Sequence, residues 1–447
     1  MLDRTKPPET PDLPPFKLPP VFETRLANGL PVLLVEDRRF PLVTARLGFE
    51  GGSKLDPANL AGLAESTGAL LTEGTARRSA REIAEEVAAI GGALRAGSGP
   101  DALLLSGNAL AENLPRLLEL MADVARNATF PEDEVALRKQ NRQQELLAQR
   151  SEAAFLAEEK FAQAVYSPHP YSRQEPTPES IDRLDRAALA GFRDRCLVPN
   201  NAVLVLLGAL PPRDRTLEMI EARFGDWARA EAPAAPPAEF PVPRRTITLV
   251  HRPGSVEADI RIGRLGIPRA HPDYFPLLVG NTILGGGASS RLFTNIREKQ
   301  GFAYDAHSTI QPLKDSGSFA VITEVRNEVA RPAIEALLGE MQRMAETDVA
   351  AAELATAGNY LSGVFVIRLE TQDGLAGQLV ATRLLGLPLE YLESYCARVR
   401  SVSPQAVRAA AGRSIHPERA AIVVVGDAGQ ILGQLEALGA VSVEEAQ

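Results

Sequence analysis

Val198-Pro199-Asn200-Asn201-Ala202-Val203-Leu204-Val205-Leu206-Leu207-Gly208 is echoed later in the chain by His416-Pro417-Glu418-Arg419-Ala420-Ala421-Ile422-Val423-Val424-Val425-Gly426. Pro199 aligns with Pro417 and Gly208 with Gly426, so the two copies match without a gap. Each copy reads as a turn followed by a buried β-strand ending at glycine, and each follows an alanine-rich helical stretch, near Asp185 to Arg195 and near Gln405 to Ser414. Two similar halves are expected. Between them, Arg229 to Arg245 holds five prolines with little apolar periodicity, the composition of a linker. The expected organisation is a proline-rich arm over 1–20, a first domain over 21–228, a linker over 229–245 and a second domain over 246–447.

The first half opens with two apolar runs, Phe22 to Leu26 and Val32 to Val35, on either side of Asn28-Gly29, a strong hairpin signal. Leu42 to Phe49 is a third strand. Leu60, Leu63, Ala64, Thr67, Leu70 and Leu71 then recur at helical spacing. No proline occurs from Glu132 to Ser167, where Val135, Leu146, Leu147, Phe155, Leu156 and Phe161 mark a long helical region interrupted once. Strands mixed with long helices, without strict βαβ alternation, favour an α+β fold over a doubly wound sheet.

At 447 residues the chain exceeds what one hydrophobic core organises, and 45% apolar content suffices for two. A net charge of -9 without long single-sign blocks argues against a nucleic-acid binder. Cys196 and Cys396 are too few for a disulfide framework and read as structural thiols. No apolar run is long enough to span a bilayer; Ala202 to Leu210 is among the longest and reads as a strand. From Met1 to Pro20 the chain contains seven prolines and no apolar core, so an extended arm is expected here rather than a signal peptide. Such an arm often follows a cleaved export signal, which favours a periplasmic over a cytoplasmic chain without settling the compartment.

Several short motifs occur in order: Asn28-Gly29-Leu30, Gly62-Leu63-Ala64, Phe130-Pro131-Glu132, His169-Pro170-Tyr171, Val198 to Ala202, and Gly285-Gly286-Gly287-Ala288-Ser289-Ser290-Arg291-Leu292-Phe293. Together they resemble the insulinase and mitochondrial-processing-peptidase (M16) family of zinc peptidases over nearly the whole chain. The resemblance implies two homologous α+β domains, each a mainly antiparallel sheet with packed helices in a LuxS/metallohydrolase-like architecture. It also implies an assembly that closes two such pairs around an unfolded peptide.

In that family the stretch beginning at Gly62 reads Gly-Leu-Ala-His-x-x-Glu-His, with two zinc-binding histidines on one helix face and a general-base glutamate. Here Glu65 and Ala69 stand at the histidine positions and Gly68 at the base. The family's third ligand, a glutamate, corresponds by its spacing from Ala69 to Glu145. Glu65 and Glu145 alone would offer two hard carboxylates, which suit neither zinc's ligand preference nor its coordination number. The five histidines, His169, His251, His271, His307 and His416, contain no His-x-x-x-His pair and are expected in surface or loop roles. No metal is therefore expected in this chain.

The second half carries Arg291-Leu292-Phe293-Thr294-Asn295-Ile296-Arg297-Glu298-Lys299-Gln300-Gly301-Phe302-Ala303-Tyr304. By resemblance, Arg297 and Tyr304 match the arginine and tyrosine that reach across the cavity to the peptide bond in active members. A guanidinium and a phenolic hydroxyl can stabilise the oxyanion formed when zinc-bound water attacks a carbonyl. Gly285, Gly286 and Gly287 lack the Lys-Ser/Thr of a nucleotide loop and read as a helix-entry turn or a peptide-contacting loop. The expected function is the non-catalytic subunit of a heteromeric bacterial zinc peptidase, inactive alone, pairing with a homologous subunit that bears His-x-x-Glu-His and the zinc, and acting on unstructured peptides. The alternatives are a pseudo-peptidase scaffold or peptide-binding subunit, as in the cytochrome bc₁ complex, and an autonomous metallopeptidase.

Overall fold

The computed structural model describes residues 16–234 and 236–446. Most of the proline-rich arm, residues 1–15, lies outside the described residues. The Asn28-Gly29 turn joins β1 (Val21–Arg25) and β2 (Pro31–Glu36) into an antiparallel hairpin, with Phe22 opposite Leu34. With β3 (Leu42–Glu50), β4 (Ala93–Ser98), β5 (Ala102–Leu110) and β6 (Ala202–Gly208) they form a six-stranded sheet, in the order β1-β2-β6-β3-β5-β4. A second sheet contains β7 (Thr246–His251), β8 (Glu257–Leu265), β9 (Ala306–Pro312), β10 (Gly317–Arg326), β11 (Ala421–Gly426) and β12 (Val441–Glu445), in the order β12-β7-β11-β8-β10-β9.

The two sheets share one topology from their second strand to their last. The pairs β2/β6 and β7/β11 are parallel, and the three that follow in each sheet are antiparallel. The first edge is where they differ: β1 is antiparallel and comes from the start of the first half, whereas β12 is parallel and comes from the end of the second. The fold is α+β. The sequence repeat falls on two 3₁₀ turns, Pro199–Asn201 and Pro417–Arg419, each leading into a central strand buried along its whole length.

The long helical region breaks at Ser151-Glu152 into helices Glu132–Arg150 and Ala153–Tyr166. The break lets the second helix leave the first half and pack on β8 and β11 of the other sheet. Helix Gln372–Leu384 of the second half reciprocates by packing on β3 and β6. Both landing places carry one tripeptide pattern at the same strand position, Arg46-Leu47-Gly48 in β3 and Arg261-Ile262-Gly263 in β8.

Each glycine admits the visiting helix. A Cβ on Gly48 would lie 2.7 Å from Val380 Cγ1, and one on Gly263 would lie 2.8 Å from Phe161 Cζ and only 2.0 Å from the Phe319 carbonyl oxygen of β10. Each arginine ties that helix down: Arg46 pairs with Asp373, and Arg261 pairs with Glu158 while donating to the Ala154 carbonyl at 2.9 Å. Val203, Val205 and Leu207 of β6 therefore share a core with Leu375, Leu379 and Val380, and Val423 of β11 shares one with Phe161, Val165 and Tyr166. Each such fully buried side chain stabilises by about 1.5–3 kcal/mol, so the exchanged helices bind the halves together.

A polar junction adds to this. Buried Lys54 lies 2.9 Å from both Asp101 and Asp315, the latter in the turn between β9 and β10, and the Tyr171 hydroxyl meets the same two carboxylates. His169 lies in the loop before the turn Pro170–Ser172, as one of the two expected placements has it, but not at the surface. It is buried, stacked 4.5 Å from Phe240 and 4.3 Å from Tyr171, and its Nδ1 accepts the Tyr171 N–H at 3.2 Å. Burial holds its pKa below the usual histidine value. Cys196 is buried and Cys396 half-buried, both as free thiols. Among the described residues no single helix is long and apolar enough to cross a membrane.

Candidate functional site

Helix Leu63–Leu70 follows β3 and lies against β4. Leu63, Ala64, Thr67 and Leu70 point into the first core, which leaves Glu65 on a half-buried flank. Its N-terminus is held by Asp56, whose carboxylate accepts from the Gly62 N–H at 3.0 Å and the Ala64 N–H at 2.9 Å. Burial pushes the Asp56 carboxyl up to about 7 even though these donors favour the charged form.

The helix packs tightly at Gly68. A Cβ there would lie 3.0 Å from the Gly97 carbonyl carbon and 3.2 Å from the Ser98 nitrogen, both in the β4 backbone. A side chain at this position would need the β4 backbone to give by a few tenths of an ångström, so the position of the missing base is tightly packed.

The missing metal has a counterpart in charge. Arg138 and Arg142, one turn apart on helix Glu132–Arg150, both reach Glu65, Arg138 Nη2 to Oε1 at 2.6 Å and Arg142 Nε to Oε2 at 3.3 Å. Glu145 Oε2 lies 3.5 Å from Arg138 and 3.8 Å from Arg142. Arg142 also pairs with Glu175 and donates to Gln149 Oε1 at 2.9 Å. Burial pushes the Glu175 carboxyl up, with Arg142 pulling it the other way.

Glu65 and Glu145 thus share two guanidiniums, so the carboxylates that could have approached a divalent ion are neutralised by fixed cations. Among the described residues no group of three His, Cys, Asp or Glu side chains could hold a metal. The donor set does not fit zinc, and no catalytic step is assigned to a metal in this chain. Glu65, Arg142 and Glu145 line a cavity of about 410 Å³ that Gln311 and Leu313 of the second half help to close. The sequence did hold a signal for the arginines: Arg138, Arg142 and Glu145 fall at i, i+4 and i+7 of one helix, on a single face.

Arg297 lies in a π-helical turn, Phe293–Lys299, that ends as Gln300 and Phe302 donate to the Asn295 and Ile296 carbonyls at 3.1 and 3.0 Å. Its guanidinium stands 4.6 Å from the Phe293 ring centroid and 4.5 Å from that of Tyr304. The two residues singled out in the sequence are therefore side by side, joined by a cation–π contact. Among the described residues neither makes an ion pair or a side-chain hydrogen bond, and Tyr304 is 83% exposed. Arg291, in the same segment, is instead committed to both oxygens of Glu353 at 2.7 Å. Tyr304 borders a cavity of about 650 Å³ that has no lining residue in common with the one at Glu65. Neither Arg297 nor Tyr304 lines the cavity at Glu65.

Gly285, Gly286 and Gly287 close helix Tyr274–Gly285 and do not open the next one, which corrects the helix-entry reading. A Cβ on Gly285 would run into the Ser308 backbone nitrogen of β9, so this glycine answers to strand packing. Gly286 and Gly287 border a cavity of about 520 Å³ with Thr356 and Tyr360.

Two family descriptions match the chain in tandem: insulinase (peptidase family M16) over residues 31–179, and the peptidase M16 inactive domain over residues 183–361. The chain belongs to the M16 peptidase family. A solved M16 inactive-domain structure from Pseudomonas fluorescens superposes with a TM-score of 0.83 at 28% identity, covering 91% of this chain and 98% of that one. A protease structure from Helicobacter pylori gives the same TM-score at 21% identity, covering 91% and 100%, and supports the M16 fold alone. A protein of Streptomyces coelicolor named as an uncharacterized zinc protease is 25% identical over 412 residues, 91% of this chain and 89% of its own length. One of the same description from Bacillus subtilis is 22% identical over 408 residues, 90% and 98%.

Proposed function

We propose that this chain is the non-zinc subunit of a two-component M16 peptidase, inactive alone, and that it supplies Arg297 and Tyr304 to the zinc site of a homologous subunit bearing His-x-x-Glu-His. The observation that carries this reading is the state of the pair. Arg297 and Tyr304 are held together, among the described residues without a carboxylate partner, with Arg297 half-buried and Tyr304 exposed, while the metal position of the same chain is filled by Arg138 and Arg142. Two preorganised donors aimed outward have a chemical use where an oxyanion forms on another protein.

In this mechanism the partner contributes the metal and the base, and the bound zinc supplies the activated water. Tyr304 would donate its hydroxyl proton in a hydrogen bond to the developing oxyanion, and Arg297 would add a fixed positive charge beside it. Packing of Arg297 between two rings limits its motion, so little reorganisation accompanies the reaction. An unstructured peptide is the proposed substrate, and the periplasm the proposed compartment.

The test is to mix the chain with a histidine-bearing homologue and assay cleavage of an unstructured peptide. Hydrolysis by the mixture, absent from either subunit alone and reduced by Arg297→Ala, is the expected result. Stable association without hydrolysis, or hydrolysis indifferent to Arg297→Ala, would sink the reading and favour a scaffold or peptide-binding role.

A further inference from the structure

Position for position, Phe49 in β3 corresponds to Arg264 in β8, each directly following the glycine that receives the other half's helix. Phe49 is fully buried against Trp227, its ring centroid 6.0 Å away. Arg264 is only 8% exposed, yet among the described residues it has no ion pair and no hydrogen-bond partner, and its Nε is buried unsatisfied. An arginine cannot shed its charge, and burying one without a counter-charge is costly. The nearby charge acting on it has the wrong sign: Arg419 adds repulsion to the cost of burial, and both hold the Arg264 pKa below its usual value.

Arg264 lines a cavity of about 350 Å³ where helix Ala153–Tyr166, the linker and the second sheet meet. Arg244 from the linker and Arg419 from the turn before β11 stand around the same space. The other charged residues there, Lys160 and Glu444, neutralise each other at 2.8 Å. The lining thus has a surplus of three guanidiniums in a chain whose net charge is -9. Thr246 and Thr248 also line the cavity, and among the described residues neither hydroxyl donates to a protein group.

We propose that this cavity is a binding site for a phosphate-type oxyanion, with Arg264 at its floor and Arg244 and Arg419 at its rim. Planar guanidiniums match the edges of a tetrahedral oxyanion, and hydroxyl donors suit its remaining lone pairs. The ligand would bridge three segments that meet only where the two halves join, so its binding would tighten that junction. Nothing in the proposal depends on the peptidase reading.

The test measures thermal unfolding and calorimetric binding of the full chain in sodium phosphate, α-glycerophosphate and sodium acetate, each against sodium chloride at equal ionic strength. Saturating phosphate is expected to raise Tm by about 2 °C or more over chloride. A comparable shift with α-glycerophosphate assigns the site to phosphate esters, and its absence assigns the site to free phosphate. Arg264→Gln should abolish the shift while leaving Tm in chloride equal or higher, because an uncompensated buried charge is removed. Should Arg264→Gln fail to fold, Arg419→Ala at the exposed rim takes its place and should weaken phosphate binding about tenfold. Phosphate acting no better than chloride, acetate matching phosphate, or a shift that survives both substitutions would overturn the proposal.

Discussion

Helix Leu63–Leu70 and helix Tyr274–Gly285 hold equivalent places in the two halves. Each follows the fourth strand in its sheet's order, precedes the last, and approaches that last strand through a glycine. Their surroundings diverge. The first helix is anchored by a buried acid, Asp56, and covered by two arginines that consume its outward carboxylate. The second has Asp273 at its N-terminus with no capping bond from the side chain, the carboxylate turning outward to Arg413 at 2.7 Å, and it leads into a turn that sets half-buried Arg297 beside exposed Tyr304. One scaffold has therefore been closed in one copy and kept open in the other. Loss of a metal site here is a rebuilding of charge, because a guanidinium pair takes over the electrostatic task of a dication without its Lewis acidity.

Substitutions in the closed half should register in stability, and the largest effect belongs to Asp56. Its folded pKa of about 7 lies above the ordinary aspartate value of 3.8. The folded state therefore binds the extra proton between these values, and stability falls as pH rises from about 4 to about 7, by on the order of 4 kcal/mol for this group alone. Urea unfolding across that range should show the decline in the native chain and a flatter profile in Asp56→Asn; parallel profiles would mean that Arg173 and the backbone donors keep Asp56 ionised throughout.

Next comes Arg142→Ala, expected to cost about 3 kcal/mol because Glu65 and Glu175 lose their common partner. A cost below about 1 kcal/mol would show that solvent already screens the cluster. Installing the family trio by Glu65→His, Gly68→Glu and Ala69→His should destabilise by about 2 kcal/mol through the β4 contact and yield no stoichiometric zinc by elemental analysis. Tight one-to-one zinc without loss of stability would break the contrast between a closed and an open half. At the small end, Arg297→Ala and Tyr304→Phe should change stability by less than about 0.5 kcal/mol, as expected of side chains with no ion pair or hydrogen bond among the described residues.

Much of this is legible in the chain. The Asn28-Gly29 hairpin, the strand following Pro199 and its echo after Pro417, and the interrupted helix from Glu132 all follow from local patterning, and the structure contains them. The loss of the metal ligands is equally plain at Glu65, Gly68 and Ala69. What replaces them is only partly so: the spacing of Arg138, Arg142 and Glu145 puts them on one helix face, but that Glu65 and Glu175 meet them is set by the fold. The exchange of helices is hidden for a similar reason. A helix's own periodicity says which face is apolar but not which sheet will cover it, although the repeated Arg-x-Gly of β3 and β8 carries the clue. His169 does lie in a loop, and its burial is not legible because Tyr171 and the distant Phe240 pack on it only in the fold.

The central claim is that the open half of this chain completes chemistry begun on another. The most direct measurement is kcat and KM for peptide cleavage by the mixed subunits, comparing the native chain with Tyr304→Phe at equal zinc content. A donor that acts on the oxyanion predicts kcat lower by about 10²- to 10³-fold with KM nearly unchanged. An unchanged kcat, with the two chains still associating, would contradict it.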